Sequence, residues 1–139
     1  MTAALVPELD VTDLEASLTF YVNVLGFRIR YARLQERFVY LERDGAELML
    51  EAAAGPGRRF RTASLEAPFG RGVNLQIRVG DARALLGAAR AAGATIILDL
   101  EDRWYRTRAD EAGNRQFVVA DPDGYLLRFF EDLGLRPSA

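Results

Sequence analysis

Hydrophobic and polar residues alternate along two stretches that lie far apart in the chain. In residues 5–11 the odd positions hold Leu, Pro, Leu and Val, and in residues 73–79 they hold Val, Leu, Ile and Val. A period of two is typical of a strand with one buried face, so each stretch is predicted to be a strand. Pro7 has no amide hydrogen, so the first strand is predicted either to lie at a sheet edge or to begin its pairing after Pro7.

A helix is predicted after each of these strands. Thr12 and Glu15 fit a capping box with Thr12 as the N-cap, and Gly26 ends the helix. The apolar face of this helix consists of Leu14, Leu18, Tyr21 and Leu25. Asp81 is the predicted N-cap of a second helix, which runs through residue 92 and is ended by Gly93. Its apolar face consists of Leu85, Leu86 and Ala89.

Two turn sequences predict β-hairpins. Residues 121–124 read Asp-Pro-Asp-Gly, with β-rich runs on both sides, and residues 43–46 read Arg-Asp-Gly-Ala between two shorter runs. Pro presets φ and Gly can take a positive φ, as tight turns require. Further strands are predicted at residues 27–31 and 95–100. Residues 101–113 are predicted to be a polar loop, and residues 133–139 a loosely held tail.

The order of elements therefore repeats as strand, helix, strand, strand, strand. The first βαβββ unit covers about residues 4–53 and the second about 72–132, joined by an irregular loop at 54–71. Arg58, Arg59 and Arg61 of this loop could bind an anion, but the preferred interpretation is that they are solvated. With 139 residues, the chain is predicted to be a single domain.

Composition narrows the possible functions. The formal charge of −2 favours neither nucleic acid nor an anionic membrane as a partner. The sequence shows neither an apolar run long enough for a membrane span nor the pattern of a signal peptide, so a cytoplasmic location is expected. The chain has no Cys and no His, which removes disulfides, thiolate or imidazole metal ligands and the usual general base.

Two βαβββ units with LEASLTFYVNVLGF in the first and ADPDGYLLRFFE at the end of the second resemble the glyoxalase/bleomycin resistance/dioxygenase family, or vicinal oxygen chelate proteins. Within the family, the chain resembles the bleomycin resistance proteins. The resemblance implies an α+β fold in which the tandem units form curved, mostly antiparallel sheets around a cavity. It also implies a homodimer.

Enzymes of this family hold a divalent metal with four side chains. The resemblance puts Val6, Met49, Asn74 and Arg128 at those positions. Val has no donor atom, Met offers a soft thioether and Arg is permanently cationic. The resemblance therefore implies no metal or other cofactor here, and it disfavours metal-dependent glyoxalase or dioxygenase activity.

Strand phase independently predicts a polar sheet face. If Leu48 and Leu50 pack under the helices, the residues that alternate with them face the other way, and the same holds for the other strands. The candidate ligand-binding residues chosen in this way, with two loop aromatics, are Glu8, Glu47, Met49, Glu51, Asn74, Gln76, Trp104, Tyr105, Arg128 and Phe130. The alternative is that these charges are solvated or pair with one another, as Glu51 would with Arg128.

The two adjacent aromatics have two interpretations. Trp104 and Tyr105 can form a platform or lid over a planar ligand, or they can anchor their loop to the domain. Antibiotic-binding relatives have Trp just before the glycine of this hairpin, where this chain has Ala112. That difference disfavours bleomycin itself as the ligand.

Three functions remain open. The preferred one is a metal-free protein that captures a small, partly aromatic compound such as an antibiotic, with no catalytic residues. The second is a metal-independent isomerase or lyase, with Glu51, Glu47 or Glu8 as the base and Arg128 or Arg78 stabilising an oxyanion. The third is an interaction or scaffold domain without a ligand. No nucleic acid or membrane partner is expected.

Overall fold

The computed structural model describes residues 2–138, which group into two compact units. The first unit comprises the described residues through Phe69 together with Pro122–Gly124. The second comprises Gly70–Asp121 and the residues from Tyr125 onwards. This division does not test the single-domain assignment, which stays a prediction.

The first unit is a four-stranded mixed sheet with one helix. Its elements are β1 (Glu8–Val11), α1 (Leu14–Leu18) with a following π-helical segment (Thr19–Val24), β2 (Arg28–Arg33), a 3-10 turn (Leu34–Glu36), β3 (Phe38–Arg43) and β4 (Ala46–Ala52). The strand order is β1-β4-β3-β2, in which β1 runs parallel to β4 and the other pairs are antiparallel. The predicted edge position of β1 is confirmed.

The core of this unit follows the predicted strand phase. Leu48 and Leu50 are buried, and the helical segment contributes Tyr21 and Leu25, whose side chains are fully buried. The hairpin between β3 and β4 turns at Asp44 and Gly45, with φ of 46° and 91°. Two successive positive φ values are what a two-residue turn needs to match the twist of the flanking strands.

The predicted capping box of α1 is wrong by one residue. Asp13 is the N-cap, and its carboxylate accepts a hydrogen bond from the amide of Ala16 at 3.1 Å. The Thr12 hydroxyl instead donates to the Asp123 carboxylate at 2.5 Å. The Thr12 side chain, which the sequence suggested as the helix cap, is therefore bound to a carboxylate that is distant in the chain. Asp13 has the extended backbone that is typical of an N-cap.

The second unit repeats the same order of elements. It contains β5 (Asn74–Arg78), α2 (Ala82–Ala91), β6 (Thr95–Arg106), β7 (Asp110–Ala120) and β8 (Leu126–Pro137). The strand order is β5-β8-β7-β6, with β5 parallel to β8. The predicted α+β fold with two βαβββ units is confirmed by these two mixed sheets.

Buried side chains of α2 and of the sheet form the core of the second unit. Phe117 and Phe129 are completely buried and stack with their ring centroids 5.5 Å apart. Leu85, Leu86 and Ala89 of α2 are also buried. The predicted N-cap is confirmed, since Asp81 accepts the amide of Ala84 at 3.0 Å.

Two irregular segments predicted in this unit are strands instead. Residues 101–113 belong mostly to the long β6–β7 hairpin, and residues 133–137 extend β8 along β7. The salt bridge between Arg136 and Glu111, at 2.8 Å, joins these extensions. Both faces of these segments carry polar side chains, so the sequence shows no alternation of polar and apolar residues. The segments are strands because their backbones pair with neighbouring strands. Ala139, the last residue of the predicted tail, lies outside the described residues.

None of the helices in residues 2–138 has the length and apolar character needed to cross a bilayer.

Candidate functional site

A pocket of about 320 Å³ lies on the sheet of the second unit. It is lined by side chains that alternate with the buried core positions of β7 and β8. Four of its lining residues form an apolar wall: Ile97, Leu98, Val118 and Leu126. Six carry the polar groups: Asn74, Glu101, Arg103, Tyr105, Gln116 and Arg128. A volume of this size with few convergent polar groups is typical of sites for small organic ligands.

Gln116 is the central polar group of the pocket. The residue is only 2% exposed. Its Nε2 donates to Oε2 of Glu101 at 2.9 Å and to the hydroxyl of Tyr105 at 2.6 Å. Within residues 2–138, no group donates to its Oε1, although this atom is buried. The pocket therefore contains a buried acceptor whose hydrogen-bonding capacity is unused.

Arg128 contributes the opposite capacity. One terminal nitrogen of its guanidinium donates to Oε1 of Gln76, which is its neighbour on β5. Its Nε is buried and has no acceptor among the described residues. The pocket thus offers one unused acceptor and one unused donor, carried by adjacent strands.

The structure separates the two predicted aromatics. Tyr105 lines the pocket, whereas Trp104 lies over Gly113, its partner on β7, and under Arg136, whose guanidinium carbon is 4.1 Å from the ring centroid. Trp104 therefore anchors the hairpin, as one of its two interpretations proposed. Their alternation follows directly from the strand that replaces the predicted loop.

The remaining candidates of the second unit differ in their relation to the pocket. Asn74 lines it, and Gln76 is linked to it through Arg128. Phe130 is half-buried and lies outside the lining. The carbonyl of Phe130 accepts the amide of Val79 at 2.8 Å, which extends the pairing of β5 with β8.

The first unit carries a separate cluster of charged groups on its sheet. Arg59 contacts Asp10 at 2.9 Å and Glu51 at 2.7 Å, and Arg61 contacts the other oxygen of Asp10 at 2.8 Å. The Glu51 side chain is only 4% exposed and that of Arg59 only 12%. Such buried charges require partners, and here two arginines supply them.

This cluster corrects two interpretations of the sequence. The arginines at positions 59 and 61 are not merely solvated, because both pair with carboxylates of β1 and β4. Glu51, for which Arg128 was the suggested partner, is paired with Arg59. A Cβ at Gly57 would lie 1.6 Å from Oε1 of Glu51, so the loop needs glycine there to approach the carboxylate.

Two other carboxylates of this unit have shifted pKa values, in opposite directions. Burial raises the pKa of Glu8, and the negative charges of Glu51 and Asp10 raise it further. The hydrogen bond from the Tyr40 hydroxyl, at 2.5 Å, lowers the pKa of Glu47. Arg30 also pairs with Glu47 at 2.6 Å. Glu47 also accepts the amide of Ala3 at 2.7 Å, so it is a weak base already held by three donors, whereas Glu8 holds a proton more readily.

Met49 is half-buried among these groups. It lies opposite Glu8 on β1 and Tyr40 on β3. Within residues 2–138, no three His, Cys, Asp or Glu side chains are arranged to hold a metal ion.

Sequence reasoning missed three polar residues of the pocket lining, Gln116, Glu101 and Arg103. Gln116 lies in phase with Arg128 across β7 and β8, so the alternation used for β8 would have selected it. Glu101 and Arg103 were missed because their segment was predicted to be a loop. The pairing of Arg59 with Asp10 and Glu51 could not be predicted from alternation, because Arg59 lies in an irregular loop.

The sequence profile of the Glyoxalase/Bleomycin resistance protein/Dioxygenase superfamily matches residues 6–129. No curated protein matches the chain. Among solved structures, TioX from Micromonospora sp. ML1 is 25% identical with a TM-score of 0.73, over 93% of this chain and 98% of TioX. A protein of unknown function from Agrobacterium tumefaciens str. C58 is 28% identical with a TM-score of 0.68, over 96% of each chain. A superfamily member from Vibrio splendidus 12B01 is 41% identical with a TM-score of 0.41, over 91% of this chain and 95% of its own.

Proposed function

Because this chain belongs to the glyoxalase/bleomycin resistance protein/dioxygenase superfamily, we propose that it binds a small, partly aromatic molecule in the pocket of its second unit, without a metal. In its most specific form, this is sequestration of an antibiotic by a protein of the bleomycin resistance type. The observation that carries the proposal is a pocket of about 320 Å³ that combines an apolar wall with buried polar groups.

The apolar and aromatic residues of the lining support an aromatic ligand. Ile97, Leu98, Val118 and Leu126 offer apolar surface on which a flat ring can pack. Tyr105 is 38% exposed and adds an aromatic side chain to the same site. Aromatic rings favour offset or edge-to-face contact, which this tyrosine can provide.

Donor chemistry supports binding without the metal of the related enzymes. The resemblance assigns the family's ligand positions to Val6, Met49, Asn74 and Arg128 in this chain. Only Asn74 offers the oxygen that a hard divalent cation prefers, and Arg128 brings a positive charge. This set of side chains does not fit the family's metal.

A second candidate function rests on Glu8. The raised pKa of this carboxyl, caused by burial and by neighbouring carboxylates, is a property that general bases and acids share. A metal-independent isomerase or lyase would use it to move a proton. The other two proposed bases are less suited, because Glu51 is held by Arg59 and Glu47 by Tyr40.

The binding proposal is tested by screening aromatic fragments and antibiotics for chemical-shift changes of backbone amides. Compounds that bind are expected to move the amides of Gln116, Val118 and Arg128. Arg128→Met should weaken binding by about 1–3 kcal/mol, because it removes a charged hydrogen-bond donor. Arg83→Met on α2 makes the same charge change outside the pocket lining and should leave affinity unaltered.

Failure of every compound to move these amides would contradict the proposal, as would equal effects of the two substitutions. The metal-free part is tested separately by elemental analysis of the purified protein. Stoichiometric Zn, Ni, Mn or Fe, lost on chelation together with ligand binding, would refute it. A homodimer also belongs to the proposal, and light scattering that shows only monomer at tens of micromolar would contradict it.

A further inference from the structure

Only the nitrogen of the Gln116 side-chain amide makes hydrogen bonds within the described residues. Its Nε2 serves Glu101 and Tyr105, while its buried Oε1 has no donor among residues 2–138. Buried acceptors are almost always paired, and leaving one unpaired costs free energy. A glutamine that is 98% buried in a pocket wall, with this atom unused, points to a ligand that brings the donor.

Arg128 sets the second requirement. Its terminal nitrogen serves Gln76, and its buried Nε has no acceptor among the described residues. The guanidinium cannot lose its proton, so Nε always needs an acceptor. A ligand oxygen or ring nitrogen would supply one.

Gln116 and Arg128 line the same pocket from neighbouring strands, so one ligand can serve both. Arg128 pairs with Val118 across β7 and β8, and Gln116 pairs with Phe130. Gln116 and Arg128 are therefore diagonal neighbours on one sheet face, a relation that puts side-chain bases about 7–8 Å apart. Gln116 bonds to Glu101 of β6 and Arg128 to Gln76 of β5, and a planar ligand lying in the pocket between them can meet both polar groups.

From this arrangement we propose that the ligand presents an amide-type edge, with an N–H for Gln116 and a C=O for Arg128. Lactams, imides and aromatic carboxamides have this chemistry. The inference rests on the proposed function and names the ligand class of that same pocket.

The alternatives match the pocket less well. A carboxylate would serve Arg128, but it has no hydrogen to donate to Gln116 and it would approach Glu101 of the lining. An ammonium group would serve Gln116 but would be repelled by Arg128 and Arg103. A neutral group with both a donor and an acceptor leaves neither buried atom unpaired and adds no buried charge.

The test uses three small aromatic probes measured on the whole protein by calorimetry and by amide chemical shifts. Isoindolin-1-one has both N–H and C=O, N-methylisoindolin-1-one lacks the donor, and indole lacks the acceptor. Isoindolin-1-one is expected to bind about tenfold or more tightly than its N-methyl derivative, because methylation leaves the Gln116 oxygen buried and unpaired.

Two substitutions assign the preference to residues. In Gln116→Met the tenfold preference over the N-methyl compound should fall to about twofold or less, since the acceptor is gone. In Arg128→Met both lactams should weaken together while indole is unaffected, since only the lactams carry the carbonyl. Circular dichroism and the melting temperature show whether each variant is folded, and the comparison on the unaltered protein stands without them.

The outcomes separate this inference from the proposed function. If the two lactams bind equally while moving the amides of Gln116 and Arg128, the amide-edge inference is overturned and the proposed function stands. If other aromatic compounds bind the pocket and isoindolin-1-one does not, the same conclusion follows. If no compound of any class binds there, both are overturned.

Discussion

The indole of Trp104 covers the backbone of Gly113. The two residues are paired across β6 and β7, and a Cβ built on Gly113 would lie 2.7 Å from the indole ring. The guanidinium carbon of Arg136 lies 4.1 Å from the centroid of the same ring. The close approach of the indole therefore requires glycine at position 113, and the indole holds this part of the hairpin together.

Gly113→Ala is expected to destabilise the protein by about 1–3 kcal/mol, as overpacking does where the neighbour is a bulky ring. Gly87→Ala is the matched control, because Gly87 lies within α2 and a Cβ there meets nothing within 4 Å. This control should gain up to about 1 kcal/mol from helix propensity. Melting curves followed by far-UV circular dichroism measure both, and equal shifts would contradict the role given to Trp104.

Removal of the buried Arg59 should be far more costly than removal of an exposed arginine. Arg59→Met leaves the Glu51 carboxylate, which is 4% exposed, without its partner, and about 3 kcal/mol of stability should be lost. Arg28→Met breaks a pair with Glu42 in which the arginine side chain is 77% exposed, and should cost about 1 kcal/mol or less. Urea unfolding distinguishes the two, and a loss for Arg59→Met no larger than for Arg28→Met would show that the cluster is merely solvated.

The identity of the first helix cap can be tested by two alanine substitutions. Asp13→Ala removes the side chain that accepts the Ala16 amide and should cost about 1 kcal/mol. Glu15→Ala would cost as much if Thr12 and Glu15 formed a capping box, but with Asp13 as the cap only a few tenths of a kcal/mol are expected from the helix dipole. The same urea titration gives both values, and a larger loss for Glu15→Ala would restore the capping box.

The charged cluster of the first unit predicts a pH dependence of known sign. Burial, with Glu51 and Asp10 nearby, raises the pKa of folded Glu8 above its ordinary 4.5. The folded state thus holds this proton more tightly, so the stability contributed by Glu8 is present below pH 4.5 and is lost as pH rises through the raised pKa. Relative to Glu8→Gln, the wild-type protein should become less stable over that interval, as measured by unfolding at successive pH values.

Asp102 provides a control of opposite sign. The hydrogen bond from Arg115 lowers the pKa of Asp102 below 3.8. The stability that Asp102 contributes to the folded state is therefore present above pH 3.8 and is lost as pH falls through the lowered pKa. Asp102→Asn should be least harmful at low pH, whereas a parallel trend for Asp102→Asn and Glu8→Gln would contradict the assigned directions.

Most of the fold could be predicted from the sequence because helix caps and the alternation of buried and exposed residues depend on neighbouring residues. Asp81 and Gly93 mark the ends of α2, and the alternation around Leu48 and Leu127 places these residues in the core. The resemblance carried by the helix and hairpin motifs is supported by the family match over residues 6–129. The polar phase of β8 led directly to Arg128, which lines the pocket.

The sequence by itself determined the order of elements, the buried faces of β1, β4, β5 and the first part of β8, and the absence of His and Cys, since each depends on neighbouring residues or on composition alone. Only the tertiary structure decided that residues 101–106 and 133–137 are strands, because their pairing partners and not their own polarity satisfy the backbone. It also decided that Arg59 pairs with Glu51 and that Gln116 keeps a buried oxygen unpaired. Such choices depend on which groups meet after folding, and a one-dimensional pattern does not contain those distances.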